Sequence, residues 1–320
     1  MKYFDLQVNG AFGVDFNADN LDAEAFELAC KKLSESGMVG FLPTIITDSI
    51  ETMCRRIERI VCILESKPEL KGLVRGIHVE GPFLSDQVGF YGTHPPQHVM
   101  PADERAAMRL LEAGQGHVRM VTLAPEQDPN CDVIERLSQE QILVFAGHTD
   151  SSFEQMRRAL DYGLVGFTHL GNGCVHQVDR QDNIMQRVLA LRDRLYITII
   201  ADGIHVPHWL LQSWLSIIGL ERSIIISDSM SAAGMPAGEY SIGNQRIVVE
   251  PSRRTRHREH GYLAGSASTL ADMDQFLTTN LEACETMREK LLFSNAFELL
   301  MWRKLPACGP HVRTSRADFS

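Results

Sequence analysis

The chain of 320 residues contains no CxxC pair, no apolar run near the length of a membrane span, no surplus of basic residues and no glycine-rich fingerprint after its first strand-like stretch. Each absence removes a class of function. Seven cysteines (30, 54, 62, 131, 174, 284 and 308) are scattered singly, and the odd number argues for reduced thiols rather than a disulfide framework or a thiolate-built zinc site. Met1 and Lys2 lead directly into strand-like sequence, with no room for a signal peptide, so the expected compartment is the cytoplasm. A net charge of -10, from 31 basic and 41 acidic residues, argues against nucleic acid or an anionic membrane as the main partner. The missing glycine fingerprint counts against a doubly wound, dinucleotide-binding sheet.

What is present is an ordinary globular composition, 44% hydrophobic and 22% charged, which is enough apolar material for a large core. Short apolar runs alternate with helical periodicity along the chain. Strands are expected at 3–8, 39–46, 73–80, 118–124, 142–146, 164–167, 196–201 and 223–227. Helices are expected between them at 21–35 (capped by Asp19 or Asn20), after Asp48 and Ser49, and at 102–113, 132–139, 153–162, 184–191 and 209–218. About eight strand–helix units whose strands read as continuous apolar runs indicate an α/β fold with a (β/α)8 TIM-like barrel. The order falters at 231–268, which reads as an insertion containing a hairpin of 240–242 against 247–249. The basic cluster from Arg253 to Arg258 there reads as a solvated loop. A last helix begins near Thr269. The barrel is thus expected to occupy 1–304, and 305–320 to form a C-terminal tail.

The chemistry collects where the strands end. The run 73–79 stops at Glu80 and is broken by Gly81 and Pro82, which delivers a carboxylate to the mouth of a barrel. The other strand ends carry Gln7 and Asn9, Thr47, Glu126, His148, His169, Asp202 with His205, and Asp228. Two imidazoles and a carboxylate, His148, His169 and Glu80, make a ligand set for a catalytic zinc with an open position; iron or manganese would accept the same groups. Asp228 is the candidate proton shuttle.

The ordered motifs Asp5-Leu6-Gln7-Val8-Asn9-Gly10, Gly76-Ile77-His78-Val79-Glu80-Gly81-Pro82-Phe83, Gly92-Thr93-His94, Val121-Thr122-Leu123-Ala124-Pro125-Glu126, Gly147-His148-Thr149 and Thr168-His169-Leu170 continue in 201–206, Ser227-Asp228 and 263–266. Together they resemble the amidohydrolase superfamily and, within it, the N-acetylglucosamine-6-phosphate deacetylases. The resemblance implies Glu80, His148 and His169 as ligands of one divalent metal, Zn2+ first and Fe2+ or Mn2+ as alternatives. It makes Asp228 the general base and then acid, with His94 polarising the acetyl carbonyl. Gln7 and Asn9 stand where many superfamily members bind a second metal. It also implies that His205 contacts the sugar or its phosphate, that Asn172 lies beside the sugar, that the phosphate arginine falls on Arg180, and that Leu270 takes the place of a methionine lining the acetyl pocket. A homodimer is implied, with loop 174–183 as the candidate contact. The accessory β-sandwich of the family is expected to be lacking. The implied substrate is a small N-acetylated amino sugar, with no nucleic-acid or membrane partner. An amidohydrolase for another N-acyl sugar or a cyclic amide is the alternative, followed by a non-catalytic sugar-binding barrel.

Overall fold

In the computed structural model, which describes residues 1–259 and 261–301, the apolar runs form one parallel sheet of eight strands. These are Tyr3–Val8, Met38–Ile46, Ile77–Glu80, Val118–Leu123, Leu143–Ala146, Leu164–Phe167, Tyr196–Ile200 and Ser223–Ile226, each paired with its neighbour in sequence. Buried side chains of both parities, such as consecutive Ile224, Ile225 and Ile226, follow from a sheet filled on its inner face and covered by helices on its outer one. Several of the helices start on side-chain caps. Ser49 serves Ile50–Ser66, Asp103 serves Glu104–Ala113, and Ser152 with Gln155 forms a capping box on Phe153–Asp161.

The eighth strand meets the first at a seam with little backbone pairing. One parallel bridge joins Val8 to Ser229, with Asn9 N–H donating to Ser229 O at 2.8 Å. Below it a side chain does the joining. The buried carboxylate of Asp5 accepts Ser227 N–H at 3.2 Å on both oxygens and Gln7 N–H at 3.1 Å. Ser227 Oγ returns a bond to Gln7 O at 3.3 Å. The barrel is therefore closed by a carboxylate placed between two strands.

Three expectations change. Ala23–Glu35 is capped by Asp22, not by Asp19 or Asn20, because Leu21 is buried ahead of the helix and Asp19 is drawn to Arg56 Nε at 2.9 Å. The hairpin is present as Gly238–Ile242 against Gln245–Val249, with Tyr240 opposite Ile247, but the basic cluster is not a solvated loop. It supplies a third strand, Thr255–His257, with Thr255 buried and the flanking arginines paired to acids: Arg256 to Glu250 and Arg258 to Glu239, both at 2.7 Å. Alternation separated one buried threonine from outward charges, a pattern hidden in so basic a run. Ile46 and Met230 from the barrel mouth share a small core with Ile242, Ile247 and Val249 of this sheet.

After Leu270–Leu281 the chain also forms Glu285–Glu289 and Asn295–Met301, joined by a π-helical turn at Lys290–Ser294. The wider turn breaks the 3.6-residue period, which is why these helices were not legible. The expected tail 305–320 lies outside the described residues. Among the described residues no helix is long and apolar enough to cross a membrane.

Asp5→Ala should leave two buried N–H groups without acceptors and lower stability by at least about 2 kcal/mol, read from urea or thermal unfolding. Burial pushes the Asp5 carboxyl from 3.8 up to about 7. The sign follows: its contribution is full below about 3.8 and is lost as pH rises through about 7. The stability advantage of wild type over Asp5→Asn should shrink between those limits, and an advantage that grew with pH would contradict the assignment.

Candidate active site

The strand ends converge on Glu80. This residue, 3% exposed, receives Gln7 Nε2 at 3.0 Å and His169 Nε2 at 2.9 Å on Oε1, with His148 Nε2 at 3.4 Å from the same oxygen. His94 Nε2 lies 3.8 Å from Oε2. Burial alone would raise the Glu80 carboxyl, but the bonds from His148 and His169 hold it well below the ordinary range. Burial would likewise depress His169, and Glu80 reverses that, so the pair shares a proton that a cation could displace.

Donor chemistry fits a divalent cation. One ligand atom from each of Glu80, His148 and His169 lies within 4.8 Å of the others. His148 Nδ1 is engaged by Phe90 O at 2.8 Å, which leaves Nε2 as the nitrogen turned toward Glu80 and available to a cation. Among the described residues the group is two imidazoles and a carboxylate with no cysteine, the donor chemistry of a catalytic rather than a structural site.

The backbone is bent to achieve this. His148, His169 and Asp228 each stand two residues past the end of a strand, with φ of 51°, 35° and 45°, left-handed conformations that cost about 1 to 3 kcal/mol each for non-glycine residues. Room for the His148 ring comes from Gly173, with φ 62°, where a Cβ would stand 2.7 Å from Nδ1.

Asp228 completes the group. Gln7 Nε2 reaches its Oδ1 at 3.0 Å and Asn9 Nδ2 reaches the same atom at 2.8 Å. Gln7 thus links both carboxylates through one amide nitrogen, while its Oε1 is fixed by Thr168 Oγ1 at 2.7 Å. Burial, and then the neighbouring Glu80 charge, push the Asp228 carboxyl up to about 6.

His94 is neutral: burial, then His148 beside it, lower its imidazole to about 3. Thr47 brings both Oγ1, at 2.8 Å, and its N–H, at 3.4 Å, to Nδ1. The Thr47 N–H donates to Nδ1, which places the ring proton on Nε2, the nitrogen nearer Glu80.

Of the other expected site residues, His205 is held by Asp202, Nδ1 to Oδ2 at 2.8 Å, with the N–H groups of Ile204 and His205 on Oδ1. Asn172 stays beside the site, donating to His169 O at 3.3 Å. Leu270 is buried at the start of its helix. Arg180 is exposed on its loop, next to the turn in which Asp179 accepts Gln181 N–H at 2.8 Å, and is not drawn to the metal group. Sequence reasoning gave no role to Thr47 or to His78, which is buried between Thr122 at 2.8 Å and Thr44 at 3.3 Å. Strand parity could have found His78: two residues before an inward Glu80, it also points inward.

Glu80→Ala should abolish cation uptake, and Gly173→Ala should weaken it by about tenfold or more by displacing the His148 ring. Elemental analysis and chelator competition measure both; wild-type affinity in either variant would contradict this geometry.

No family model matches the chain. Among curated proteins it is 33% identical over 280 residues to an N-acetylgalactosamine-6-phosphate deacetylase of Shewanella sp., covering 87% of this chain and 68% of that protein. It is 31% identical to an N-acetylglucosamine-6-phosphate deacetylase of Danio rerio, covering 85% and 67%. Among solved structures, the N-acetyl-D-glucosamine-6-phosphate deacetylase of Mycobacterium smegmatis superposes with a TM-score of 0.84 at 27% identity, over 93% of this chain and 77% of that one. These likenesses span the strands that carry Glu80, His148, His169 and Asp228, and with them the chain belongs to the N-acetylglucosamine-6-phosphate deacetylase family of the amidohydrolase superfamily.

Proposed function

We propose that the chain hydrolyses the acetamide of N-acetylglucosamine 6-phosphate, releasing acetate and the amino-sugar phosphate. The observation that carries this is the Glu80, His148 and His169 group with Asp228 tied to it through Gln7. We assign one divalent cation to the group, Zn2+ first, with Fe2+ or Mn2+ able to use the same donors. When bound, such an ion supplies Lewis-acid polarisation of the acyl group and acidifies water. Gln7 and Asn9 are amides already engaged by the carboxylates, which supports a single ion.

The side chains supply the rest. Both amide bonds to Asp228 fall on Oδ1, which leaves Oδ2 to take a proton from the attacking water and then pass it to the departing nitrogen. His94 offers Nε2–H to the acyl oxygen as negative charge develops there. His205, oriented by Asp202, and Asn172 face the sugar in this reading, Leu270 borders the acetyl group, and Arg180 is the candidate phosphate contact. The reading includes a cytoplasmic homodimer meeting through loop 174–183, which is exposed at 176–182. The galactose epimer is a second reading, favoured by the name of the Shewanella relative.

Acetate release should be measured on N-acetylglucosamine 6-phosphate, its galactose epimer and unphosphorylated N-acetylglucosamine, alongside metal analysis. The first should be the preferred substrate; no release from any of the three would overturn the reading. Asp228→Asn should keep its metal and lose about 10^3-fold in kcat. Because Asp228 must be ionised to act and a cation opposes the Glu80 contribution, kcat/KM should fall with acid at or below about pH 6.

A further inference from the structure

Glu126 lies outside the metal group, yet most of its bonds go to the turn that follows a ligand. It is delivered by the short turn Pro125–Gln127, at the end of the strand Val118–Leu123. Its Oε1 accepts Asp150 N–H at 2.9 Å, and its Oε2 accepts Ser151 Oγ at 2.6 Å and the hydroxyl of Thr149. Its own N–H donates to Ser151 Oγ at 3.0 Å. These partners are the three residues directly after His148. Thr149 and Ser151 are almost wholly buried, so their hydroxyls have little access to water.

From the other side Arg187 Nη1 donates to Asp150 O at 3.2 Å, Ser151 O at 3.1 Å and Asp150 Oδ1 at 2.9 Å. The segment 149–151 is therefore held between an anion, which takes the Asp150 N–H and two hydroxyls, and a cation, which takes two of its carbonyls and the Asp150 carboxylate. It belongs to no regular element, since the strand ends at Ala146 and the helix starts at Phe153. His148 itself is left-handed, a conformation that persists only where the surroundings impose it.

We propose that Glu126 is a positioning residue for His148: it holds the turn that aims Nε2 at the cation, and so sets cation affinity without touching the cation. This rests on reading Glu80, His148 and His169 as ligands. A residue that merely stabilised the fold would lower unfolding temperature and leave affinity alone.

The test is Zn2+ affinity by chelator competition and the Co2+ absorption spectrum, on wild type, Glu126→Ala, Glu126→Gln and Tyr3→Phe. Tyr3→Phe removes a buried 2.8 Å bond to Asp274 at the opposite end of the barrel and serves as the purely structural comparison. Glu126→Ala should bind Zn2+ about 10- to 100-fold more weakly with an altered Co2+ spectrum. Glu126→Gln should recover much of the loss, because its carbonyl still accepts Asp150 N–H and the hydroxyls can turn toward its amide. Tyr3→Phe should unfold at lower temperature with affinity unchanged. If Glu126→Ala fails to fold, an affinity for Glu126→Gln between wild type and tenfold weaker, with a shifted Co2+ spectrum, supports the proposal, and wild-type values in both measurements overturn it. Wild-type affinity in a folded Glu126→Ala also overturns it, while a wild type that binds no cation overturns the ligand reading and this proposal together.

Discussion

A carboxylate withdrawn from water at the mouth of the barrel is the constraint on which the rest depends. Glu80 is almost wholly buried, and an unpaired charge there would be too costly to keep. Gln7, His169 and His148 surround it, each from a different strand end, so the chain can satisfy this one group only by closing eight strands into the right order. The site and the fold are therefore specified by the same interactions. Thr168, which fixes Gln7, directly precedes the candidate ligand His169 in the chain, so a single step along the backbone carries both a support and a member of the Glu80 group.

Much of this was legible in the sequence because parallel barrels write themselves in a simple grammar. An apolar run that ends on a polar residue is a strand that delivers a side chain to the mouth. Glu80, His148, His169 and Asp228 were identified on that basis, and the structure brings them together. The supports were harder to read. Asp5 and His78 sit inside apolar runs, where a polar residue carries no signal unless strand parity is followed from a known inward neighbour. Thr47 acts on His94 across the barrel mouth, and no local pattern connects positions so far apart in the chain.

Two failures have local causes. The strand Thr255–His257 was concealed because the charged run offers only one buried residue, while its half-exposed arginines pair with Glu250 and Glu239 of the same small sheet region. The closing helices were concealed by the π-helical turn, which buries the adjacent residues Leu291 and Leu292 and so disrupts the expected spacing. Asn295 then ties that region to the base of the eighth strand, donating to Leu220 O at 2.6 Å and Ser223 O at 2.7 Å.

The left-handed backbone at His148, His169 and Asp228 has an evolutionary consequence. At such positions glycine or asparagine relieves strain that histidine and aspartate must bear. Replacements that harden the molecule are therefore available at three residues of the candidate site. A lineage selected only for endurance could drift toward a sturdier barrel with a different mouth, so the histidines and the aspartate at these positions bear a strain that stability alone does not ask for.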